Sequence, residues 1–156
     1  MKKLILLFVL FAVAACDRKI GYYDLKNENE TYSYDGELYS GTAVSDVEAE
    51  NPSTVYEFRE GVKQSEIKYY PEFAGGKVQY EKNYSMGRLS DEKEFSKDGL
   101  LLREEHYSWG MDGKATASVT WYDWCGKAKR KKSFVCDKNI NIKYVNYDHF
   151  IPEPCK

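Results

Sequence analysis

Residue types that commonly carry out catalysis are few in this chain, and their spacing matches no known catalytic pattern. The 156 residues include two histidines, His106 and His149, and four cysteines. Neither histidine is spaced from acidic residues or cysteines as metal ligands or an activated nucleophile would be. The sequence contains no GxSxG elbow, no GxxxxGK[ST] loop and no GxGxxG segment that opens a helix. We therefore predict a protein that is not an enzyme and that holds no metal and no cofactor.

Cys16 is the cysteine whose surroundings indicate a specific reaction. Two lysines precede a continuous apolar run of 12 residues, Leu4 to Ala15, and Cys16 follows directly. This order is typical of a secretory signal, and the run is shorter than the about 20 residues that cross a bilayer as a helix. The segment Val13-Ala14-Ala15-Cys16 resembles the lipobox of bacterial lipoproteins. The resemblance implies lipid transfer to the Cys16 thiol and cleavage after Ala15.

Lipidation at Cys16 predicts a mature chain anchored to a membrane of the bacterial cell envelope. Asp17 resembles the residue that keeps lipoproteins of enteric bacteria in the inner membrane, which implies a position facing the periplasm. Removing the signal leaves 21 basic residues against 25 acidic ones, so the mature formal charge is -4. No strong electrostatic partner is implied.

Three further cysteines would then lie in a compartment that permits disulfides. We expect Cys125 to pair with Cys136, because a separation of 11 residues suits facing strands of a hairpin. A Cys136 to Cys155 bridge is the rival pairing.

Two clusters could form an interaction surface. One is aromatic and the other is basic, and export of the chain makes nucleic acid an unavailable partner for the basic cluster. Anionic lipid head groups are then the available binding target for the basic cluster. Alternatively, the basic cluster binds nothing and is a hairpin tip that its charges keep solvated. For the aromatic cluster, the alternative to binding a partner is packing in the core of the sheet. The residues are Trp109, Trp121, Tyr122 and Trp124 in the first cluster, and Lys127, Lys129, Arg130, Lys131 and Lys132 in the second.

Most of the mature chain has strand periodicity. Val78, Tyr80 and Tyr84 alternate with polar residues, and the same pattern recurs in 115–121 and 140–144. Asp98-Gly99 is one of the dipeptides between these runs that supply the positive φ angles of tight turns. The prediction is a mainly β fold, an antiparallel meander preceded by an N-terminal signal helix.

The turns also repeat. An aromatic residue stands three positions before Gly61, Gly87 and Gly110, and a second glycine series, Gly76, Gly99 and Gly126, lies between them. Two offset series predict two turns, and therefore two strands, in each repeat. Such hairpins bury a face only by stacking on their neighbours.

These residues resemble the MORN-repeat variant proteins, often catalogued as YwqK-type antitoxins. The resemblance rests on Asp35-Gly36-Glu37-Leu38-Tyr39-Ser40-Gly41, on the Tyr-x-x-Gly turns and on EIKYYPEFAGGKVQYEKNYSMGRLS, and it covers roughly 34–126. It implies an elongated sheet of stacked hairpins that binds a protein, in the manner of an antitoxin or immunity protein. The predicted organisation is a signal peptide at 1–15, a polar tether at 16–33, a repeat sheet at 34–133 and a C-terminal cap or tail at 134–156.

Together these features predict a non-catalytic, membrane-anchored lipoprotein that uses its repeat sheet for protein interaction. Two other hypotheses stay open. One is an envelope enzyme with a scattered acid-base site built from Glu104, Glu105, His106 and Asp123. The other is a purely structural envelope lipoprotein.

Overall fold

The computed structural model describes residues 19–71 and 76–136. Within these ranges the chain is mainly β, and its strands form two sheets. The predicted signal helix, Ala15, Cys16 and the C-terminal residues 137–156 lie outside the described residues. No helix in the described ranges is long and apolar enough to span a membrane.

The described strands are short at the N-terminal end of the chain and longer from residue 54 onward. A 3-10 helix, Tyr22–Asp24, follows the first strand. The strands are β1 Ile20–Gly21, β2 Lys26–Glu28, β3 Thr31–Tyr34, β4 Glu37–Leu38, β5 Gly41–Val44, β6 Thr54–Arg59, β7 Val62–Tyr69, β8 Val78–Ser85, β9 Arg88–Phe95, β10 Leu101–Trp109, β11 Ala115–Tyr122 and β12 Ala128–Cys136.

The larger sheet is an antiparallel meander with one added strand. Its nine strands have the order β1-β5-β6-β7-β8-β9-β10-β11-β12, and β1 pairs with β5 in parallel. Every strand from β5 to β12 is antiparallel to the next. The predicted mainly β meander is therefore confirmed.

Two kinds of turn join the long strands. Glu60-Gly61 and Met86-Gly87 have φ angles of 51° and 76° in both pairs, which is the left-handed geometry of a two-residue type I′ turn. The longer turns at 96–100, 110–114 and 123–127 place a glycine of positive φ fourth in the turn. Turns 60–61, 86–87 and 110–114 lie at one end of the strands, and turns 96–100 and 123–127 lie at the other. The two strands per period expected from the glycine spacing are present.

The predicted polar tether over 16–33 is wrong for residues 19–33, because these residues fold. Strands β2, β3 and β4 form a small three-stranded sheet, and Tyr32 of β3 and Leu25, which precedes β2, are buried in one cluster with Tyr39, Ala43 and Phe58. The rings of Tyr32 and Phe58 lie 4.7 Å apart. The sequence hid this core because its apolar residues are isolated between charged and amide side chains.

Gly61 fixes the small sheet to the large one. The amide of Tyr32 donates to the carbonyl of Gly61 at 2.7 Å, and the amide of Gly61 donates to the carbonyl of Tyr39 at 2.8 Å. A Cβ atom on Gly61 would stand 2.9 Å from the carbonyl oxygen of Tyr32. This close approach and the positive φ require glycine at this position.

The predicted start of a C-terminal cap at residue 134 falls inside β12, which continues to Cys136. The sheet therefore extends beyond the predicted boundary. The predicted strand at 140–144 lies outside the described residues.

Candidate interaction face

Strand alternation brings a set of tyrosines and charged residues to one side of the large sheet. Tyr56 pairs with Glu66 across β6 and β7, and Lys68 pairs with Tyr80 across β7 and β8. We call this surface the tyrosine face and define it by Tyr56, Lys63, Glu66, Tyr80 and Tyr84. The predicted alternation that placed Tyr80 and Tyr84 on one side is confirmed, because both hydroxyls reach Glu66.

Glu66 lies at the centre of the tyrosine face. Its carboxylate accepts hydrogen bonds from the hydroxyls of Tyr80 at 2.8 Å and Tyr84 at 3.3 Å. The Nζ of Lys63 stands 3.0 Å from the same carboxylate, and both side chains of this ion pair are largely buried. One acid therefore holds two phenols and a lysine from β7 and β8 in a fixed arrangement.

Cation–π and stacking contacts extend this arrangement. The Nζ of Lys63 lies 4.5 Å from the centre of the Tyr84 ring and 5.8 Å from that of Tyr56. The ring of Tyr22 stacks on Tyr56 at 4.1 Å, which connects the tyrosine face to the 3-10 helix. The rings are therefore packed on at least one side.

The electrostatics of the tyrosine face favour binding over proton transfer. Burial, reinforced by the Glu66 charge, raises the pKa of Tyr56 to about 12, and burial likewise raises the pKa of Tyr80 and Tyr84. Burial alone would raise the pKa of Glu66, but Lys63 and the Tyr80 hydroxyl outweigh it and lower that pKa. Near neutral pH the face therefore offers neutral phenols around a charged carboxylate.

The same side of the sheet continues into a buried ionic network on β9 and β10. The guanidinium of Arg103 contacts Glu92 at 3.2 Å, Glu105 at 3.0 Å and Glu94 at 3.2 Å. Glu105 is only 1% exposed and also accepts a hydrogen bond from Tyr107. Burial raises the pKa of Glu92. Removing these charges from water costs free energy, and the attraction between oppositely charged partners offsets this cost. Loss of one partner would therefore leave an unpaired buried charge and destabilise the fold.

Exposure along this side of the sheet locates the candidate site. Phe58 and Ala43, on β6 and β5, are buried beneath the small sheet, and Tyr107, Val119 and Trp121 are buried on β10 and β11. Between these two buried regions of the sheet, the side chains of β7 and β8 are mostly half-buried. The middle of this side, which is the tyrosine face, is therefore half-buried and less covered than the regions that flank it.

The acid-base residues considered from the sequence do not converge. Glu104 and His106 project from the opposite side of the sheet to Glu105 because neighbours in a strand alternate. On that side, the Nδ1 of His106 stands 2.6 Å from Asp91, and its Nε2 stands 3.6 Å from Glu104. Ser118 lies directly across from His106 on β11. Sequence reasoning missed Asp91, since only the strand register brings it beside His106.

Asp123, the fourth of those residues, shapes a turn. Its carboxylate accepts hydrogen bonds from the amides of Cys125 and Lys127, both at 2.9 Å, and contacts the Nζ of Lys129 at 3.2 Å. The hydrogen bond from Lys127 is the largest of the effects that lower the pKa of Asp123. Asp123 therefore holds the β11–β12 turn and stands apart from the His106 cluster.

Within 19–71 and 76–136, no group of three or more histidine, cysteine, aspartate or glutamate residues could hold a metal ion. Comparison with protein-family models gave no match, and comparison with curated proteins gave none either. Among solved structures, the chain is similar to a DUF3836 family protein from Parabacteroides distasonis at 14% identity, with a TM-score of 0.27. That alignment covers 74% of this chain and 87% of the other. Chains with so low a TM-score need not share a fold, so the functional argument rests on the site itself.

The predicted aromatic surface is not one surface. Trp121 is buried opposite Arg103, whereas Trp109 stands opposite Ala115, six residues farther along β10. The hydroxyl of Tyr122 donates to Glu104 on the other side of the sheet, and Trp124 lies in the β11–β12 turn. The prediction that these four residues form a single patch is therefore wrong.

The basic run also divides. Lys127 lies in the turn, and the other four basic residues lie in β12, so the expected solvated hairpin tip is mostly strand. Arg130 lies over the Trp121 ring at 5.6 Å, and Lys132 pairs with Val119 on that same side. Lys131 projects from the opposite side, and Lys129 contacts Asp123. Alternation thus places the four charges of β12 on both sides of the sheet, while Lys127 stays in the turn.

The strand register excludes the predicted bridge between Cys125 and Cys136. Cys125 lies in the β11–β12 turn and is disulfide-bonded. Cys136 pairs with Ala115 at the far end of β12, eight residues beyond Ala128. At roughly 3.3 Å per residue the two ends of β12 are about 26 Å apart, whereas disulfide-linked Cα atoms lie within about 7 Å. The prediction was wrong because the hairpin turns at Cys125 itself.

Proposed function

We propose that this protein is a non-catalytic lipoprotein, anchored to a bacterial envelope membrane through lipid on Cys16, that binds a partner protein with its tyrosine face. The observation that carries the proposal is the fixed set of half-buried phenols around Glu66, which lies between two more deeply buried regions on the same side of the sheet. The anchor rests on the resemblance of residues 13–16 to a lipobox.

The chemistry of the tyrosine face suits protein recognition. Tyrosines combine a large apolar ring with a hydroxyl, and they are enriched at protein interfaces. Because Glu66 and Lys63 already fix the rings of Tyr80 and Tyr84, a partner would order few side chains on binding. Because the hydroxyls of Tyr80 and Tyr84 already donate to Glu66, a partner that offers hydrogen-bond donors and an apolar edge would fit this surface best.

The resemblance to MORN-repeat variant proteins supports the same class of function. Two strands and two glycine turns per period agree with a stack of hairpins. By resemblance, the partner would be a toxin-like protein, and the membrane-tethered chain would act as its immunity protein.

Site-specific photocrosslinking in the native envelope tests the proposal. A photoreactive phenylalanine analogue replaces Tyr80 on the tyrosine face and, as a matched control, Tyr122 on the opposite side of the sheet. We expect a defined protein adduct from position 80 and none from position 122. Equal labelling at both positions, or no adduct at either, would refute protein binding through this face and would favour the purely structural lipoprotein.

The lipid anchor has its own test. Intact mass should equal that of a chain beginning at Cys16 plus a lipid group, and Cys16→Ser should leave the chain unprocessed. A mature mass that begins elsewhere or carries no lipid would exclude the anchor and leave the crosslinking result to stand alone.

The contact of His106 with Asp91 favours a second candidate function, an acid-base enzyme. A carboxylate can orient an imidazole so that its other nitrogen takes a proton from a substrate. The test is turnover of a panel of ester, amide and glycoside substrates, with His106→Gln compared against the exposed control Glu57→Gln. Turnover lost only in His106→Gln would support this candidate, and no turnover by the unaltered chain would exclude it for those substrates.

A further inference from the structure

One end of the large sheet carries two methionines that no neighbouring side chain covers. Met86 in turn 86–87 is 95% exposed, and Met111 in turn 110–114 is 109% exposed. Both turns lie at the same end of the strands as turn 60–61. The turns that hold the methionines are two strand spacings apart, which is about 10 Å. We call this end of the strands the methionine end and define it by turns 86–87 and 110–114, because the small sheet covers turn 60–61.

Met86 is an unusual residue for its position. It has φ of 51° in a type I′ turn, where asparagine, aspartate and glycine are the favoured residues. Methionine here is unfavourable for the backbone and places an apolar side chain in water. A polar turn residue would serve the fold better, so the side chain points to a contact outside the fold.

An arginine–tryptophan pair lies between the two methionines. The guanidinium of Arg88 stands 5.2 Å from the centre of the Trp109 ring, and the Nε1 of Trp109 donates to the carbonyl of Leu89 at 2.8 Å. Tryptophan and basic residues are typical of the layer between water and hydrocarbon, where a guanidinium can meet lipid phosphate.

The direction of β1 relates the methionine end to the proposed anchor. Ile20 pairs in parallel with Ala43, and β5 begins at Gly41 opposite Phe58, close to turn 60–61. The chain therefore enters β1 at Lys19 from the side of the methionine end. Cys16 precedes Lys19 by three residues, so their Cα atoms are at most about 11 Å apart.

From these observations we infer that the methionine end contacts the lipid bilayer. Met86 and Met111 enter the boundary between head groups and acyl chains, and Arg88 binds an anionic phosphate there. The inference rests on the proposed lipid anchor only for the direction of approach. It places the strands upright on the membrane, with the tyrosine face turned sideways toward partners.

Quenching by brominated lipids tests the inference. The full chain, as its host exports it, is mixed with phosphatidylethanolamine–phosphatidylglycerol vesicles that have brominated or ordinary acyl chains. Met86→Trp and Met111→Trp add a reporter at the methionine end, and Leu100→Trp adds one at the opposite end. We expect brominated lipid to remove about half or more of the added fluorescence at positions 86 and 111, since interfacial side chains lie within reach of the acyl chains. At position 100 we expect little change.

Equal quenching at all three positions, or none at 86 and 111, would overturn the inference. Met111 has no positive φ, so Met111→Trp remains informative if tryptophan disturbs the type I′ turn at 86. Intact mass on the same sample reports lipidation, and crosslinking at position 80 reports partner binding. Failure of either proposed function can therefore be told apart from failure of the membrane contact.

Discussion

Replacing Glu66 by glutamine tests whether the tyrosine face is preorganised. The substitution keeps the shape of the side chain but removes the negative charge of the carboxylate. That carboxylate lies 3.0 Å from the Nζ of Lys63 and accepts hydrogen bonds from Tyr80 at 2.8 Å and Tyr84 at 3.3 Å. Hydrogen bonds to a charged group exceed neutral ones by roughly 1 kcal/mol each. The Glu66 side chain is only 13% exposed, so water screens these bonds weakly. We expect Glu66→Gln to lower the free energy of unfolding by about 2 kcal/mol.

Urea unfolding measures this loss. With a slope of about 2 kcal/mol per molar urea, the midpoint should fall by about 1 M. Glu57→Gln is the matched control, because Glu57 lies on β6 and is exposed to solvent. Its midpoint should stay within about 0.3 M of the unaltered chain, which corresponds to about 0.5 kcal/mol. Equal midpoints for the two variants would refute the stabilising role of Glu66.

Glu66→Gln should also change how the free energy of unfolding depends on pH in the acid range, which we call the acid limb. The folded-state pKa of Glu66 is lowered, so its contribution is present above the ordinary value of 4.5 and is lost as the pH falls through the lowered pKa. Glu66→Gln should therefore lose less stability than the unaltered chain when the pH falls through this range. An unchanged acid limb would show that Glu66 has the same pKa in the folded and unfolded chains.

Three further predictions follow from single contacts. Because burial raises the pKa of Tyr56 from 10.0 to about 12, the chain should lose stability as the pH rises through this range, and Tyr56→Phe should reduce that loss in a pH series of urea midpoints. Asp123→Ala should accelerate amide hydrogen exchange at Cys125 and Lys127, whereas Asp123→Asn, which keeps an acceptor oxygen, should do so less; equal rates in both variants would contradict the capping role. Peptide mapping without reduction should find no Cys125–Cys136 link, and a Cys125–Cys136 peptide would contradict the register of β12.

The large sheet could be predicted because its signals are local. Alternation in 115–121 places Ala115, Ala117, Val119 and Trp121 on one buried side, as the structure confirms. Gly99 takes the positive φ expected of its turn. From β5 to β12 each strand pairs with its neighbour in sequence, so finding these strands and their turns was enough to order them.

Features that depend on register or on distant contacts could not be read from the sequence. Leu25 and Tyr32 show no period, and they become core only because β6 supplies Phe58. Glutamate usually faces solvent, yet Glu105 is buried in the sheet, where it forms an ion pair with Arg103. The tyrosine face was likewise invisible, because Glu66 and Tyr84 are 18 residues apart in the chain.

The pairing of each long strand with its neighbour in sequence has a consequence for how the chain is made. A polypeptide emerges from the ribosome, or from an export channel, N-terminus first. Here the core of Leu25, Tyr32 and Phe58 can close once β6 and turn 60–61 are outside, without any later strand. Each subsequent hairpin then adds to an existing edge at the small entropic cost of a short loop. The long strands can therefore be added one by one in the order of synthesis, and each new strand becomes the growing edge of the sheet.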